Sequence, residues 1–250
     1  MKRIKLEVAY DGTNYCGWQI QQNGITVEEV LNNKLSELLG EQIKVIGASR
    51  TDSGVHALGN VAVFDSDTRI PPEKICFALN QRLPEDIRIQ HSMEVFTEFH
   101  PRFCKSRKTY LYQILNRTFP VPTHRLYTHF LHTPLDVEVM KKAASYIIGT
   151  KDFKSFCSAN SQVTDTVRTV YSINVKKEGD IISIEITGNG FLYNMVRIIA
   201  GTLIEVGRFA EPPEKMQEII QACDRTKAGP KAPANGLTLI KIDYDENILK

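Results

Sequence analysis

The alternation of apolar and polar residues changes period several times along the chain, and each change marks an element. From Ile4 to Tyr10, Ile, Leu and Val alternate with Lys, Glu and Ala, the period of two expected of a strand with one buried face. Asp11-Gly12-Thr13-Asn14 follows as a turn signal. From Thr26 the period lengthens. Val27, Val30, Leu31, Leu35, Leu38 and Leu39 fall on one helical stripe, Thr26 and Glu29 have capping-box spacing at its start, and Gly40 ends it. Apolar runs from Ile43 to Ala48 and from Leu58 to Phe64 predict two strands. Pro71-Pro72-Glu73 opens a second helix with Ile75, Ala78 and Leu79 turned inward, and a strand is expected near Ile87 to Met93. The order β-α-β-β-α-β is the split pattern of ferredoxin-like folds.

The pattern then recurs. A strand is expected from Lys108 to Leu115, a helix from Asp136 to Ile148 after a long Pro-containing connection, and strands from Thr169 to Lys176 and Ile181 to Thr187. Helices follow from Leu192 to about Val206 and from Pro213 to Ala222, and a last strand from Leu237 to Tyr244. This is βαββαβ again with one extra helix. An α+β chain of two topologically similar halves is expected, residues 1–104 and 105–250, joined near Pro101 to Ser106. Their residue-level self-similarity is weak.

At 250 residues, 24% charged and 42% hydrophobic, the composition is that of a globular protein with a substantial core. The net charge of +2 does not announce a polyanionic partner, but the distribution of charge changes the picture. Residues 101–133 carry Arg102, Lys105, Arg107, Lys108, Arg117 and Arg125 and no acid, in a chain with 29 acids and 31 bases. Phe103, Tyr110, Tyr112, Phe119, Tyr127 and Phe130 are interleaved with them, and His124, His129 and His132 lie there too. Cations neutralise phosphates and aromatic faces stack unpaired bases, the combination that looped RNA requires. The competing reading is a solvated face above core aromatics. Trp18, the single tryptophan, lies among Gln19, Gln21, Gln22 and Asn23; it either reaches a partner from a polar loop or plugs the core edge.

The five cysteines are odd in number and scattered, with no Cys-x-x-Cys, so neither a disulfide framework nor a thiolate zinc site is expected and a reducing cytoplasm fits. Lys5 and Glu7 interrupt any apolar stretch after Met-Lys-Arg, so no signal peptide is expected. No run approaches a membrane span.

The candidate chemistry concentrates in Ser49-Arg50-Thr51-Asp52-Ser53-Gly54-Val55-His56-Ala57, a polar cluster between two apolar runs. A short loop held by two strands is a common place for a site. The same residues are also good turn chemistry, since Asp and Ser bond their own backbone and Gly accepts positive φ. Other chemistries find less support. Gly188-Asn189-Gly190 lacks the third glycine of a dinucleotide fingerprint, because Tyr193 stands in its place. No Gly-x-x-x-x-Gly-Lys phosphate loop, His-Glu-x-x-His pair or Gly-x-Ser-x-Gly elbow occurs, so no metal and no cofactor is expected.

Arg50 to Ala57 resembles the catalytic signature of the tRNA pseudouridine synthase A family. Tyr10 to Gln19, Lys108 to Tyr112, Phe191 to Arg197 and Ala232 to Leu237 resemble further motifs of that family, in the family's order and across the whole length. Ser49 stands where the family usually has Gly, and Ser53 where it often has Ala. The resemblance implies two ferredoxin-like halves joined into one wide antiparallel sheet, with helices on one face and a catalytic cleft at the centre. It implies a cytoplasmic homodimeric enzyme that isomerises uridine to pseudouridine at about positions 38, 39 and 40 of the tRNA anticodon stem-loop. Asp52 is then the catalytic carboxylate, Arg197 the guanidinium paired with it from the other half, and Tyr110 the ring that stacks on the target uracil. Arg50 takes the space left by the flipped base or a phosphate, while Lys105, Arg107 and Lys108 contact the substrate backbone. His56 supports the loop. The alternative is a non-catalytic RNA-binding protein, because βαββαβ is also the order of RNA-recognition motifs; the aromatic strand expected of those is missing.

Overall fold

In a computed structural model, residues 1–158, 163–209, 211–245, 247 and 249 are described. Among them are ten strands and five α-helices: β1 (Lys2–Tyr10), α1 (Val27–Leu39), β2 (Ile46–Gly47), β3 (His56–Ser66), α2 (Ile75–Asn80), β4 (Ile87–Val95), β5 (Ser106–Asn116), β6 (His129–Leu131), α3 (Val137–Ser145), β7 (Gly149–Asp152), β8 (Val167–Glu178), β9 (Ile181–Gly188), α4 (Met195–Phe209), α5 (Lys215–Ala222) and β10 (Leu237–Tyr244). The strands belong to one wide, mostly antiparallel sheet. The chain forms two compact units, Met1–Ser106 with Leu239–Lys250, and Arg107–Thr238.

In the first unit β1 lies between β4 and β3, antiparallel to both. Ile4, Leu6, Val8 and Tyr10 turn one face of β1 into the core, as the alternation predicts. β3 is buried along nearly its whole length, consistent with its continuous apolar run. Helix α1 begins where the capping signal stands: the Thr26 hydroxyl accepts from Glu29 N–H at 3.4 Å, and Glu28 and Glu29 sit in the electropositive first turn. It ends at Gly40, left-handed at φ 69. Arg3 grips Asp65 on the paired strand through two bonds of 2.8 and 2.7 Å and reaches Phe99 O at 3.0 Å. Val63, Val95 and Phe99 form a buried cluster there, closed by Tyr244, whose hydroxyl donates to Pro101 O at 2.6 Å.

One expected strand is much shorter than its apolar run. Ile43 to Ala48 yields only the two residues of β2. Ile43 N–H donates to Ser36 Oγ at 2.9 Å and Val45 N–H to Asn32 Oδ1 at 2.8 Å. Side chains of α1 take the backbone donors that a strand would offer to a neighbour.

In the second unit the order is β5-β9-β8-β7, with β6 parallel to β5. β6 and β7 were not expected: one has three residues, and the other, Gly-Thr-Lys-Asp, carries no strand pattern. Helix α3 starts at its Asp136 cap but ends at Ser145 rather than Ile148, because Tyr146 and Ile147 turn back onto Ala143 O and Ala144 O. Helix α4 starts three residues later than expected, after Asn194 at φ 61. It is buried on nearly all sides from Met195 to Gly207, the mark of a core helix. Among the described residues, no helix is long and apolar enough to cross a membrane.

Candidate active site

The loop between β2 and β3 carries the polar cluster. Ser49, Thr51 and His56 are buried, Asp52 is half-buried, and Arg50 and Ser53 face solvent. Its turn is real: Val55 N–H donates to Asp52 O at 3.1 Å, and Gly54 has φ 76. The turn is also clamped from outside. Trp18 N–H donates to Thr51 O at 3.1 Å, and Gly17, at φ 82, passes so close that a Cβ there would lie 2.4 Å from the same oxygen. A Cβ on Gly12 would lie 2.0 Å from Val55 O. Only glycine admits both approaches. The Tyr10-to-Gln19 stretch is therefore the mould of the Asp52 loop.

Helix α1 holds that mould in turn. Val27 N–H and Glu28 N–H, two of its unpaired first-turn donors, bond Gly17 O at 3.2 Å and Trp18 O at 3.0 Å. Trp18 is 1% exposed, its ring 6.0 Å from that of Tyr10, so it serves the core rather than a partner. His56 Nδ1 accepts Gly12 N–H at 3.0 Å and lies 3.1 Å from Asp11 Oδ1, which ties the loop's exit to the turn after β1.

Beneath the loop are two residues that pattern reading missed. Asn60, fully buried on β3, donates to Ser49 O at 3.0 Å, and the Tyr10 hydroxyl is 2.7 Å from Thr51 Oγ. A signal for Asn60 existed: it is the single polar side chain inside the apolar run from Leu58 to Phe64.

Of the other basic candidates in this unit, Lys105 is exposed. Arg102 donates to Gly47 O at 3.2 Å; burial, and then the nearby Arg50 cation, make it less basic than an ordinary arginine. Next to it Phe103 is 79% exposed, its ring stacked 4.2 Å from that of His100.

The second unit holds Arg107, Lys108, Tyr110 and Arg197. Tyr110 and Tyr112 lie two apart on β5 and are both buried. The Tyr110 ring meets Phe191 edge-on at 5.3 Å, and the Tyr112 hydroxyl donates to Pro233 O at 3.0 Å. Burial pushes the Tyr112 hydroxyl far above the usual phenol range. Arg197, on the first turn of α4, is 8% exposed. Its Nε donates to Ala232 O at 2.8 Å and one terminal nitrogen to Asn194 Oδ1 at 3.2 Å, with Asn194 itself held by Ser158 Oγ at 2.8 Å. Arg197 is therefore turned into the protein rather than toward solvent. Arg107 stacks over the Tyr171 ring at 4.9 Å. Among the described residues, no group of three or more His, Cys, Asp and Glu side chains is placed to hold a metal ion.

The model of the tRNA pseudouridine synthase family matches residues 7–104 and 143–245. The chain belongs to the tRNA pseudouridine synthase family. A tRNA pseudouridine synthase A of Thermoanaerobacter sp. (strain X514) is 51% identical over 98% of this chain and 100% of its own length. The relative of the same description from Brevibacillus brevis is 47% identical over the same shares. A chain of a solved Cbf5-Nop10-Gar1 complex aligns over 80% of this chain and 44% of its own, at 14% identity and a TM-score of 0.36. Asp52 and Arg197 fall inside the segments matched by the family model, whereas Lys105, Arg107, Lys108 and Tyr110 fall between them.

Proposed function

We propose that this chain isomerises uridine to pseudouridine at about positions 38, 39 and 40 of the tRNA anticodon stem-loop, as a cytoplasmic homodimer, with Asp52 as its catalytic carboxylate. That it is an RNA uridine isomerase acting on tRNA follows from its family and from relatives aligned along nearly all of its length. The non-catalytic RNA-binding alternative is not favoured.

The reaction breaks the bond between N1 of uracil and the ribose C1′, turns the base, and joins C5 to C1′. The proton on C5 then leaves and N1 gains one, so atoms and electrons balance without a redox partner. A carboxylate at C1′ serves each route to the break: attack on carbon, stabilisation of positive charge on the ribose, or removal of a ribose proton. Arg197 is the cation that orients this carboxylate. Tyr110 stacks on the uracil, and its hydroxyl serves the late removal of the C5 proton. Reaching the bond in a stem requires the nucleotide to flip out, at a few kcal/mol, and Arg50 fills the gap or takes a phosphate. Lys105, Arg107 and Lys108 neutralise backbone charge.

The observation that carries Asp52 is the clamping of its loop by Gly12, Gly17 and Trp18. A turn that merely reverses the chain needs no such mould, whereas a reacting group must be held in place. Asp52→Asn is expected to bind tRNA as the wild type does and to form no pseudouridine. Turnover in that variant would remove Asp52 from the chemistry.

A further inference from the structure

The buried polar groups beneath the Asp52 loop amount to more than satisfied hydrogen bonds. Asn60 Oδ1 accepts Val61 N–H at 2.9 Å, which turns its amide nitrogen toward the loop. That nitrogen carries two hydrogens, one donated to Ser49 O at 3.0 Å and one to the Tyr10 hydroxyl at 3.4 Å. The Tyr10 hydroxyl contacts Thr51 Oγ at 2.7 Å. Asn60 is 0% exposed, Tyr10 4% and Thr51 8%, so no bond in the chain competes with bulk water. Thr51 is held at both ends, its carbonyl by Trp18 N–H and its side chain by Tyr10, and Asp52 is the next residue.

We propose that Asn60, Tyr10 and Thr51 form a strut that sets the position of Asp52, making the Tyr10 and Thr51 hydroxyls positioning groups for the isomerisation. The proposal rests on the reading of Asp52 given above. A loop of Ser, Thr, Asp and Gly has several self-bonded turns open to it. The strut selects one by fastening two of its residues to rigid strands, Ser49 through β3 and Thr51 through the last residue of β1. Misplacement of a reacting group by about an ångström costs up to roughly a hundredfold in rate. Binding of the tRNA, spread over many phosphate contacts, does not feel such a shift.

Tyr10→Phe keeps the ring against Trp18 and deletes only the hydroxyl. Its kcat on tRNA transcript is expected to fall about tenfold, with KM within about twofold of wild type, as for a group acting on the transition state alone. Thr51→Val should show the same split and Thr51→Ser should restore activity. The double variant should be no slower than the slower single, since both singles already delete the Tyr10–Thr51 contact. A Tyr10→Phe kcat within about twofold of wild type, multiplying losses in the double variant, or a Thr51→Ser as slow as Thr51→Val would each overturn the strut. If Tyr10→Phe fails to melt cooperatively, the Thr51 pair decides alone. Asp52→Asn separates the two claims. An active Asp52→Asn removes the catalytic assignment itself, whereas an inactive one beside a normal Tyr10→Phe removes only the strut.

Discussion

Gly201, in the middle of α4, tests which of two opposed effects governs a buried helix. A Cβ built there would lie 1.8 Å from Pro230 O and 2.9 Å from its carbonyl carbon. A relaxed C···O contact needs about 3.4 Å, so the Pro230 carbonyl must retreat by roughly 1.5 Å. It cannot move alone. Gly229 N–H donates to Thr202 Oγ at 3.0 Å, Ala232 N–H to Arg197 O at 3.1 Å, and Arg197 Nε to Ala232 O at 2.8 Å. Helix propensity favours Gly201→Ala by about 1 kcal/mol. Against it stand overpacking of about 1–3 kcal/mol and about 1 kcal/mol for each buried bond that breaks. With two bonds lost, the balance is a destabilisation of about 2–4 kcal/mol, or roughly 5–15 °C in melting temperature for a chain of this size. A urea transition read by circular dichroism measures it, the midpoint falling at unchanged slope. Pseudouridine formation should fall in parallel, because the segment that moves anchors Arg197. A variant as stable as wild type, or more so, would show that propensity wins and that the 229–232 segment is not pressed onto α4.

Arg197→Lys retains the cation but cannot donate to Ala232 O and Asn194 Oδ1 together, so kcat should drop by about tenfold or more with binding little changed; normal turnover would show that the planar fork is not needed. Hydrogen bonding from Arg3 holds the Asp65 carboxyl below the usual carboxylate range, so its stabilisation is present above about pH 4 and lost as pH falls through the lower folded value. With the Asp65 side chain 34% exposed, the effect stays below about 1 kcal/mol. Asp65→Asn should flatten that limb of the stability–pH curve, and an unchanged acid limb would show that other carboxylates govern it.

Much of the site was legible as motif and little of it as mechanism of support. Arg50 to Ala57 could be read from residue type and resemblance, yet the same residues also spell an ordinary turn. What distinguishes a held loop from a free one is contact with Gly12, Gly17 and Tyr10, none of which is near it in the chain, and with Asn60, whose side chain β3 turns back beneath it. Arg197 likewise sat in a readable motif, but its burial depends on the segment at Ala232 folding back over α4.

The sequence by itself determined those elements whose causes are local. Alternation set the buried face of β1, Thr26 and Gly40 set the ends of α1, and Asp136 set the start of α3. Only tertiary structure decided that the apolar run from Ile43 to Ala48 would surrender its donors to Ser36 and Asn32, that Gly149–Asp152 would pair with β8, and that Trp18 would be buried. It also counts Leu239–Lys250 with the first unit, although in sequence they follow the second. The division has one physical reason. Backbone propensity and facing are properties of neighbouring residues, whereas the partner of a backbone donor, or the room for a Cβ, is supplied by residues that only folding brings near.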